Sequence, residues 1–172
     1  MVETICKNVT HIFRILIETT SASNLLNGNW GIYDVQDCKD AAKTLASDQY
    51  SLIDGNRVAI RGGSAGAYTT LASVTSAIDP NDPQPYYKTT CGAYGCVADV
   101  ETLAGVTEKF EMDYINTLFG HPPGPVWDSR NPIKHAGNLS VPLLVRDTLC
   151  FVIMYGLIDV MPSSYIVITG SS

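Results

Sequence analysis

The run RVAIRGGSAGAY, residues 57–68, decides the fold of this chain. It opens with a short β-prone segment that ends in glycine, as a buried strand often does. Small, helix-tolerant residues follow, with no Gly or Pro between Gly66 and Ala77. The run therefore predicts a strand, a sharp turn at Ser64 and a helix.

The turn has the pattern G-x-S-x-G, in which Ser64 lies between Gly62 and Gly66. A serine hydroxyl is a poor nucleophile unless it is exposed, next to a base and close to donors that stabilise an oxyanion. We expect the two glycines to leave room for a tight turn with a strained serine, and the backbone N–H of Ala65 to face the same space as the hydroxyl. The pattern predicts Ser64 as a nucleophile and Ala65 as an oxyanion donor. A phosphate-binding loop is disfavoured, because the P-loop Lys-Ser/Thr pair and the third glycine of a dinucleotide fingerprint are missing.

The segment before the turn predicts an amphipathic helix between Trp30 and Leu45. Apolar residues recur there every three or four positions, and acidic residues alternate with them on the other face. The predicted apolar face consists of Ile32, Val35, Cys38, Ala42 and Leu45, and the predicted polar face of Asp34, Asp37, Asp40 and Lys43.

The segments after the turn continue the alternation of strands and helices. Residues 89–94 and 141–145 predict strands, and the spacing of Phe110, Tyr114 and Leu118 predicts a second amphipathic helix that ends at Gly120. Such alternation is typical of an α/β protein, which has a parallel sheet with helices on both faces.

Composition excludes several classes of function. The chain of 172 residues has a formal net charge of -6, and its eleven Lys and Arg are scattered, so we expect no nucleic-acid partner. Its five cysteines fit neither zinc-site spacing nor a disulfide scaffold, and we predict no metal and no cofactor. The first residues lack a signal-peptide core, and the longest apolar run, residues 149–158, is too short to span a membrane. We therefore expect no membrane association and a cytoplasmic location.

Two longer blocks of sequence, residues 28–37 and 53–68, closely resemble the catalytic domain of the prolyl oligopeptidase family, most of all its acylaminoacyl- and dipeptidyl-peptidase-like members. The resemblance continues through shorter motifs in residues 92–95, 109–111, 128–133 and 141–145. It implies an α/β-hydrolase fold with an incomplete, mostly parallel sheet, and a serine peptidase that forms an acyl-enzyme on Ser64. The implied organisation is an unmatched leader at 1–23, a partial catalytic domain at 24–145 and a poorly matched apolar tail at 146–172.

The family places a triad acid and then a triad histidine after the serine. Residues 156–162 resemble a displaced form of the acid motif, so the resemblance makes Asp159 a tentative acid, with Asp147 as a weaker candidate. No histidine follows His135 in this sequence, so the base of the family has no matching position. We expect His121 and His135 to be surface or locally bonded residues, and His11 lies in the unmatched leader.

Three functions remain open at this point. The favoured one is a serine-type peptidase acting on a peptide or acyl-peptide substrate, present here as a truncated, inactive or weakly active fragment. The alternatives are a non-catalytic interaction protein that retains the fold and a carboxylic ester hydrolase, because the fold does not choose between peptidase and esterase. The apolar residues 149–168 either cover a sheet edge or promote association. The oligomeric state is undetermined.

Overall fold

The computed structural model describes residues 25–76, 86–93, 98–106, 109–120, 124–146 and 166–168. Strands and helices alternate along these residues, with two additional 3₁₀ helices at Gly55–Arg57 and Pro132–Asn138. The α-helices are α1 (Tyr33–Ala46), α2 (Ala65–Thr75), α3 (Val100–Val106), α4 (Lys109–Phe119) and α5 (Pro125–Arg130). The strands are β1 (Ala59–Gly63), β2 (Thr89–Ala93), β3 (Leu143–Arg146) and β4 (Ile166–Ile168).

The four strands form one sheet in the order β1-β2-β3-β4. The pairs β1–β2 and β2–β3 are parallel, and β4 runs antiparallel to β3. The predicted mostly parallel sheet is therefore confirmed. Strand β4 belongs to the apolar segment 149–168, and its pairing with β3 favours the first of the two alternatives for that segment, coverage of a sheet edge.

One face of the sheet lies against helices. Ile60, Thr90 and Leu143 are aligned across β1, β2 and β3, and all three are buried. Ala67 and Leu71 of α2 pack in one cluster with Leu143. The opposite face is more open: Arg61 is exposed, and the residues aligned with it, Cys91 and Leu144, are half-buried. Within the described residues, α1 and α2 pack on the face that carries Ile60 and Leu143.

An aromatic cluster packs against Tyr68 of α2, next to the residues of α2 that pack with the sheet. Trp30, Tyr68, Phe119 and Trp127 are buried there, with ring centroids 4.2 Å apart for Trp30–Tyr68 and 4.6 Å apart for Phe119–Trp127. Aromatic side chains bury large apolar areas and constrain one another through preferred ring geometries. Helix α2 thus contributes neighbouring residues to two clusters, one shared with β3 and one largely aromatic.

Three side chains differ from the sequence prediction. Ile32 was expected on the apolar face of α1, but it lies just before the helix and is 42% exposed. Asp34 was expected on the polar face of α1, but it is 1% exposed, because its carboxylate accepts hydrogen bonds from inside the protein. Tyr114 was expected on the apolar face of α4, but it is 61% exposed. The buried face of α4 is instead formed by Ile115, Leu118 and Phe119, which follow the same helical spacing one position further on.

Among the helices that the structure describes, none has both the length and the apolar character that crossing a bilayer requires.

Candidate active site

Ser64 connects the carboxyl end of β1 to the first residue of α2. Its backbone angles are φ 55° and ψ −126°, which a residue with a side chain rarely adopts. The side chain is exposed and makes no capping hydrogen bond to the helix that follows it. The predicted strand, sharp turn and helix are present, and the hydroxyl at the turn is open to a reactant.

The two glycines around Ser64 differ in their surroundings. A Cβ atom on Gly62 would lie 2.0 Å from the carbonyl oxygen of Gly66 and 2.8 Å from Oγ1 of Thr70, so only glycine fits at this position. A Cβ atom on Gly66 would meet no described atom within 4 Å. The expectation that both glycines make room for the turn is therefore correct for Gly62 and is not supported for Gly66.

The first turn of α2 contains backbone N–H groups that the helix itself does not use. The carbonyl oxygen of Ser64 accepts hydrogen bonds from the N–H groups of Ala67 (2.9 Å) and Tyr68 (3.3 Å). The N–H of Ala65 comes before these, among the groups at a helix start that have no intrahelical acceptor. Such a group, with the partial positive charge of the helix start, is suited to stabilise a negative oxygen.

Asp34 links the start of α1 to α2. Its Oδ1 accepts a hydrogen bond from the backbone N–H of Gly31, and its Oδ2 accepts one from the Thr69 hydroxyl, both at 2.6 Å. Burial raises the pKa of this carboxyl above its ordinary value of 3.8, although the hydrogen bonds from Thr69 and Gly31 oppose the rise. Sequence analysis missed this contact; the available signal was a carboxyl three residues after Gly31, a spacing at which it can accept from the preceding turn.

Arg130 closes the other side of α2. The Tyr68 hydroxyl donates to the carbonyl oxygen of Arg130 at 3.1 Å. The Arg130 guanidinium in turn donates from Nη1 to the carbonyl oxygens of Gly28 (2.9 Å) and Trp30 (3.3 Å). These bonds tie the loop before α1, the second turn of α2 and the end of α5 into one unit behind the serine.

Asp99 lies after β2, and sequence position alone makes it a possible acid. Its carboxylate is used otherwise: it accepts hydrogen bonds from the N–H groups of Glu101 and Thr102, from the Thr102 hydroxyl and from Nδ2 of Asn131. Burial raises the pKa of Asp99, but these hydrogen bonds outweigh it and the pKa is lowered overall. The geometry is that of a residue capping α3 and fixing buried Asn131, whose Oδ1 accepts from Val100.

The remaining triad candidates are only partly within the described residues. His135 is described, and its Nε2 lies 2.9 Å from the carbonyl oxygen of Asp128. Because a carbonyl only accepts, this nitrogen donates, as expected of a locally bonded histidine. Asp159, Asp147, His11 and His121 lie outside the described residues.

Within the described residues, no group of three or more His, Cys, Asp or Glu side chains is arranged to hold a metal ion. The same residues contain no hydrogen bond between Ser64 and a histidine. The described site therefore consists of an exposed serine on a strained turn, the start of α2 and the polar contacts that hold α2.

The chain is similar to a known family and to solved structures over a region that includes Ser64. The model of the "Prolyl oligopeptidase family" matches residues 23–151. A puromycin-hydrolysing peptidase of Mycobacterium tuberculosis is similar in structure, with 32% sequence identity and a TM-score of 0.62 over 72% of this chain. Two structures of puromycin hydrolase, one of them a Ser-to-Ala mutant complexed with PGG, each have 30% identity and TM-scores of 0.60 and 0.61 over 72% and 73% of this chain. The match spans 18% of the length of each of these proteins. No curated protein sequence matches the chain.

Proposed function

Since the chain belongs to the prolyl oligopeptidase family, we propose that it carries the nucleophile turn of a serine-type peptidase, with Ser64 as the nucleophile and the N–H of Ala65 as an oxyanion donor. The α/β-hydrolase fold and the structural similarity to peptidases support a peptidase-type function. The 172-residue chain is inferred to be inactive or weakly active by itself.

The observation that carries the proposal is the backbone of Ser64. Its φ of 55° places the hydroxyl at the apex of a strand-to-helix turn, exposed and free of a capping bond. Strained backbone conformations persist where the surrounding structure enforces them, and they are concentrated at functional sites.

The chemistry consistent with this geometry is acyl transfer. Oγ of Ser64 would attack the carbonyl carbon of a peptide bond, and its proton would pass to a base. The developing oxyanion would lie near the N–H of Ala65 at the start of α2, where a negative charge is favoured. The base would return the proton to the leaving amine, and water would then hydrolyse the acyl-enzyme and restore the serine.

We infer weak activity because no histidine can be identified as the general base. His135, the histidine in the described part of the chain, already uses Nε2 in a bond to a backbone carbonyl, and no histidine follows it in the sequence. Without a base the rate retains only what binding and the oxyanion donor provide, several orders of magnitude below that of a complete triad. We propose Asp159 as the tentative acid, on the resemblance of residues 156–162 alone.

The substrate class follows from the relatives. Two of the similar structures are named as puromycin hydrolases and one as a puromycin-hydrolysing peptidase. We therefore propose that this site cleaves amide bonds, namely those that join an amino acid or a peptide to an amine. This chain spans 18% of those proteins, so their further contacts to substrate are not assigned to it.

A fluorophosphonate probe tests the proposal on the purified chain. We expect slow labelling of Ser64, far below stoichiometric on the time scale of an active serine hydrolase, and none in Ser64→Ala. Ser51→Ala is the matched control, because Ser51 is also exposed and also has a positive φ, but it lies in the loop after α1. Rapid stoichiometric labelling that disappears in Ser64→Ala would refute the inactivity and retain the nucleophile.

Other outcomes separate the alternatives. Equal labelling of wild type and Ser64→Ala would refute Ser64 as the nucleophile and leave a non-catalytic interaction protein. A chain that turns over an aryl ester and shows no turnover of puromycin or an aminoacyl anilide would instead be a carboxylic ester hydrolase.

A further inference from the structure

We infer that Asp34 is a positioning residue for Ser64: its carboxylate fixes α2 against the start of α1 and thereby holds the turn at Ser64 in its strained form. The inference deepens the proposed function and rests on it for its catalytic meaning. The contact itself is a feature of the fold and is testable without activity.

The Asp34 carboxylate connects two segments of the chain. Its two oxygens bind two different segments: Oδ1 accepts from Gly31 in the loop before α1, and Oδ2 accepts from Thr69 in the second turn of α2. Thr69 is 3% exposed and Asp34 is 1% exposed, so water does not compete for these bonds. A buried carboxylate is costly unless its oxygens are hydrogen-bonded, so the pairing of these segments is specific.

Thr69 lies in α2 close to the turn at Ser64. It is adjacent to Tyr68, whose N–H donates to the carbonyl oxygen of Ser64 and whose hydroxyl donates to Arg130. The Thr69 hydroxyl also lies 3.4 Å from the carbonyl oxygen of Ala65. The contact to Asp34 is therefore made one turn from the serine, on the turn that receives the Ser64 carbonyl.

The loop at Gly31 packs closely on Tyr68 of α2. A Cβ atom on Gly31 would lie 2.1 Å from the Tyr68 hydroxyl, so the loop approaches Tyr68 as closely as glycine permits. Asp34 fixes this loop through the Gly31 N–H, and Arg130 fixes it through the carbonyl oxygens of Gly28 and Trp30. The loop and the second turn of α2 cannot shift relative to each other without breaking these bonds.

The fixed position of α2 maintains the strained backbone of Ser64. Ser64 has no side-chain capping bond that would hold it, and its positive φ would relax if α2 could move away from β1. Relaxation of Ser64 would rotate its carbonyl oxygen away from the N–H groups of Ala67 and Tyr68. The protection of these two amides therefore reports the state of the turn.

Hydrogen exchange on the full 172-residue chain, read by NMR, tests the inference. In Asp34→Asn and Thr69→Val we expect the Ala67 and Tyr68 amides to exchange about tenfold faster relative to core amides, the factor that corresponds to the loss of one hydrogen bond to a charged group. Thr69→Ser keeps the hydroxyl and should restore near wild-type protection. Thr69→Val leaves the Gly31 bond in place, so it remains informative if Asp34→Asn does not fold.

The control distinguishes positioning from general stability. Ala42→Gly introduces a flexible residue into α1 at a buried position away from Asp34, and it should accelerate exchange uniformly across the core. If Thr69→Val also accelerates all core amides by one common factor, or if Thr69→Ser behaves like Thr69→Val, the inference is wrong.

The fluorophosphonate experiment keeps the two proposals apart. If exchange at Ala67 and Tyr68 responds as expected but the label is found on a residue other than Ser64, the proposed nucleophile fails and the positioning of the turn stands. If wild type is labelled and folded Thr69→Val is labelled equally fast, the positioning inference fails and the nucleophile stands.

Discussion

Ser64 and Ser51 are the two residues other than glycine with positive φ in the described part of the chain. Each such conformation costs of the order of 1–3 kcal/mol. Ser51 lies in an exposed loop, whereas Ser64 lies between β1 and the largely buried helix α2, which packs into two clusters. At the residue scale the strain of Ser64 is therefore sustained by its neighbours, and Gly62 is the neighbour with the least room.

The contrast between Gly62 and Gly66 gives a prediction at this scale. Gly62→Ala places a Cβ atom 2.0 Å from a backbone oxygen, so we expect a loss of about 1–3 kcal/mol of unfolding free energy or more, as for overpacked cores. Gly66→Ala adds its Cβ to open space in a helix, so it should be neutral or stabilising by up to about 1 kcal/mol. Urea unfolding of both variants measures this; similar losses would contradict the assigned packing.

At the element scale, six of the elements were predictable because each has a local signal: α1, β1, α2, β2, α4 and β3. Helices α3 and α5 and strand β4 were not predicted. The β-prone run before Gly62, the small residues after it and the Val141-Pro142-Leu143 segment mark β1, α2 and β3 directly. The burial of Asp34 was not predictable, because its partner Thr69 lies 35 positions away and periodicity assigns an acidic residue to solvent. For Tyr114, spacing of four residues fits two adjacent faces of α4 equally well.

Asp99 provides a prediction for a single element. It caps α3 through the N–H groups of Glu101 and Thr102, so Asp99→Ala should lower the unfolding free energy by about 0.5–2 kcal/mol. Asp99→Asn keeps an oxygen for the cap and should cost less. Thermal unfolding followed by circular dichroism measures the two variants, and an equal loss in both would show that charge, and not capping, carries the effect.

At the scale of the whole molecule, α2 is the central element. It contributes residues both to the cluster that includes β3 and to the cluster of Trp30, Tyr68, Phe119 and Trp127, so a movement of α2 disturbs both clusters. The exposed face of the sheet carries Arg61 and Thr89. The match to the puromycin-hydrolysing proteins spans 18% of their length, so most of the length of each of them lies outside the match.

The pH dependence of stability belongs to this scale, because two carboxyls act in opposite directions. The folded-state pKa of Asp34 is raised above 3.8, so the folded protein binds more protons than the unfolded chain in that window, and the contribution of Asp34 falls as pH rises through it. The pKa of Asp99 is lowered, so its contribution is present above 3.8 and lost as pH falls. The dependence of stability on pH reflects the sum of the contributions of Asp34 and Asp99, and variants of each residue separate these contributions.

Asp34→Asn isolates one of these contributions. The unfolding free energy of wild type minus that of Asp34→Asn should decrease as pH rises from 3.8 through the raised pKa, because the wild type alone must ionise a buried carboxyl. Urea unfolding at several pH values measures the difference. Ser73→Ala removes a neutral hydroxyl from α2 and should give a constant difference; a constant difference for Asp34→Asn would contradict the raised pKa.

The antiparallel pairing of β4 with β3 has a consequence for self-association. A sheet with two open edges can add further molecules at both ends and grow without limit. Here one edge strand, β4, is only three residues long and offers little for a partner strand to pair with. The other edge strand, β1, has five residues and no further neighbouring strand within the described residues. Two molecules that met through β1 about a two-fold axis would cover this edge in both, so edge-to-edge assembly by this route would end with a pair and would not continue into a fibre.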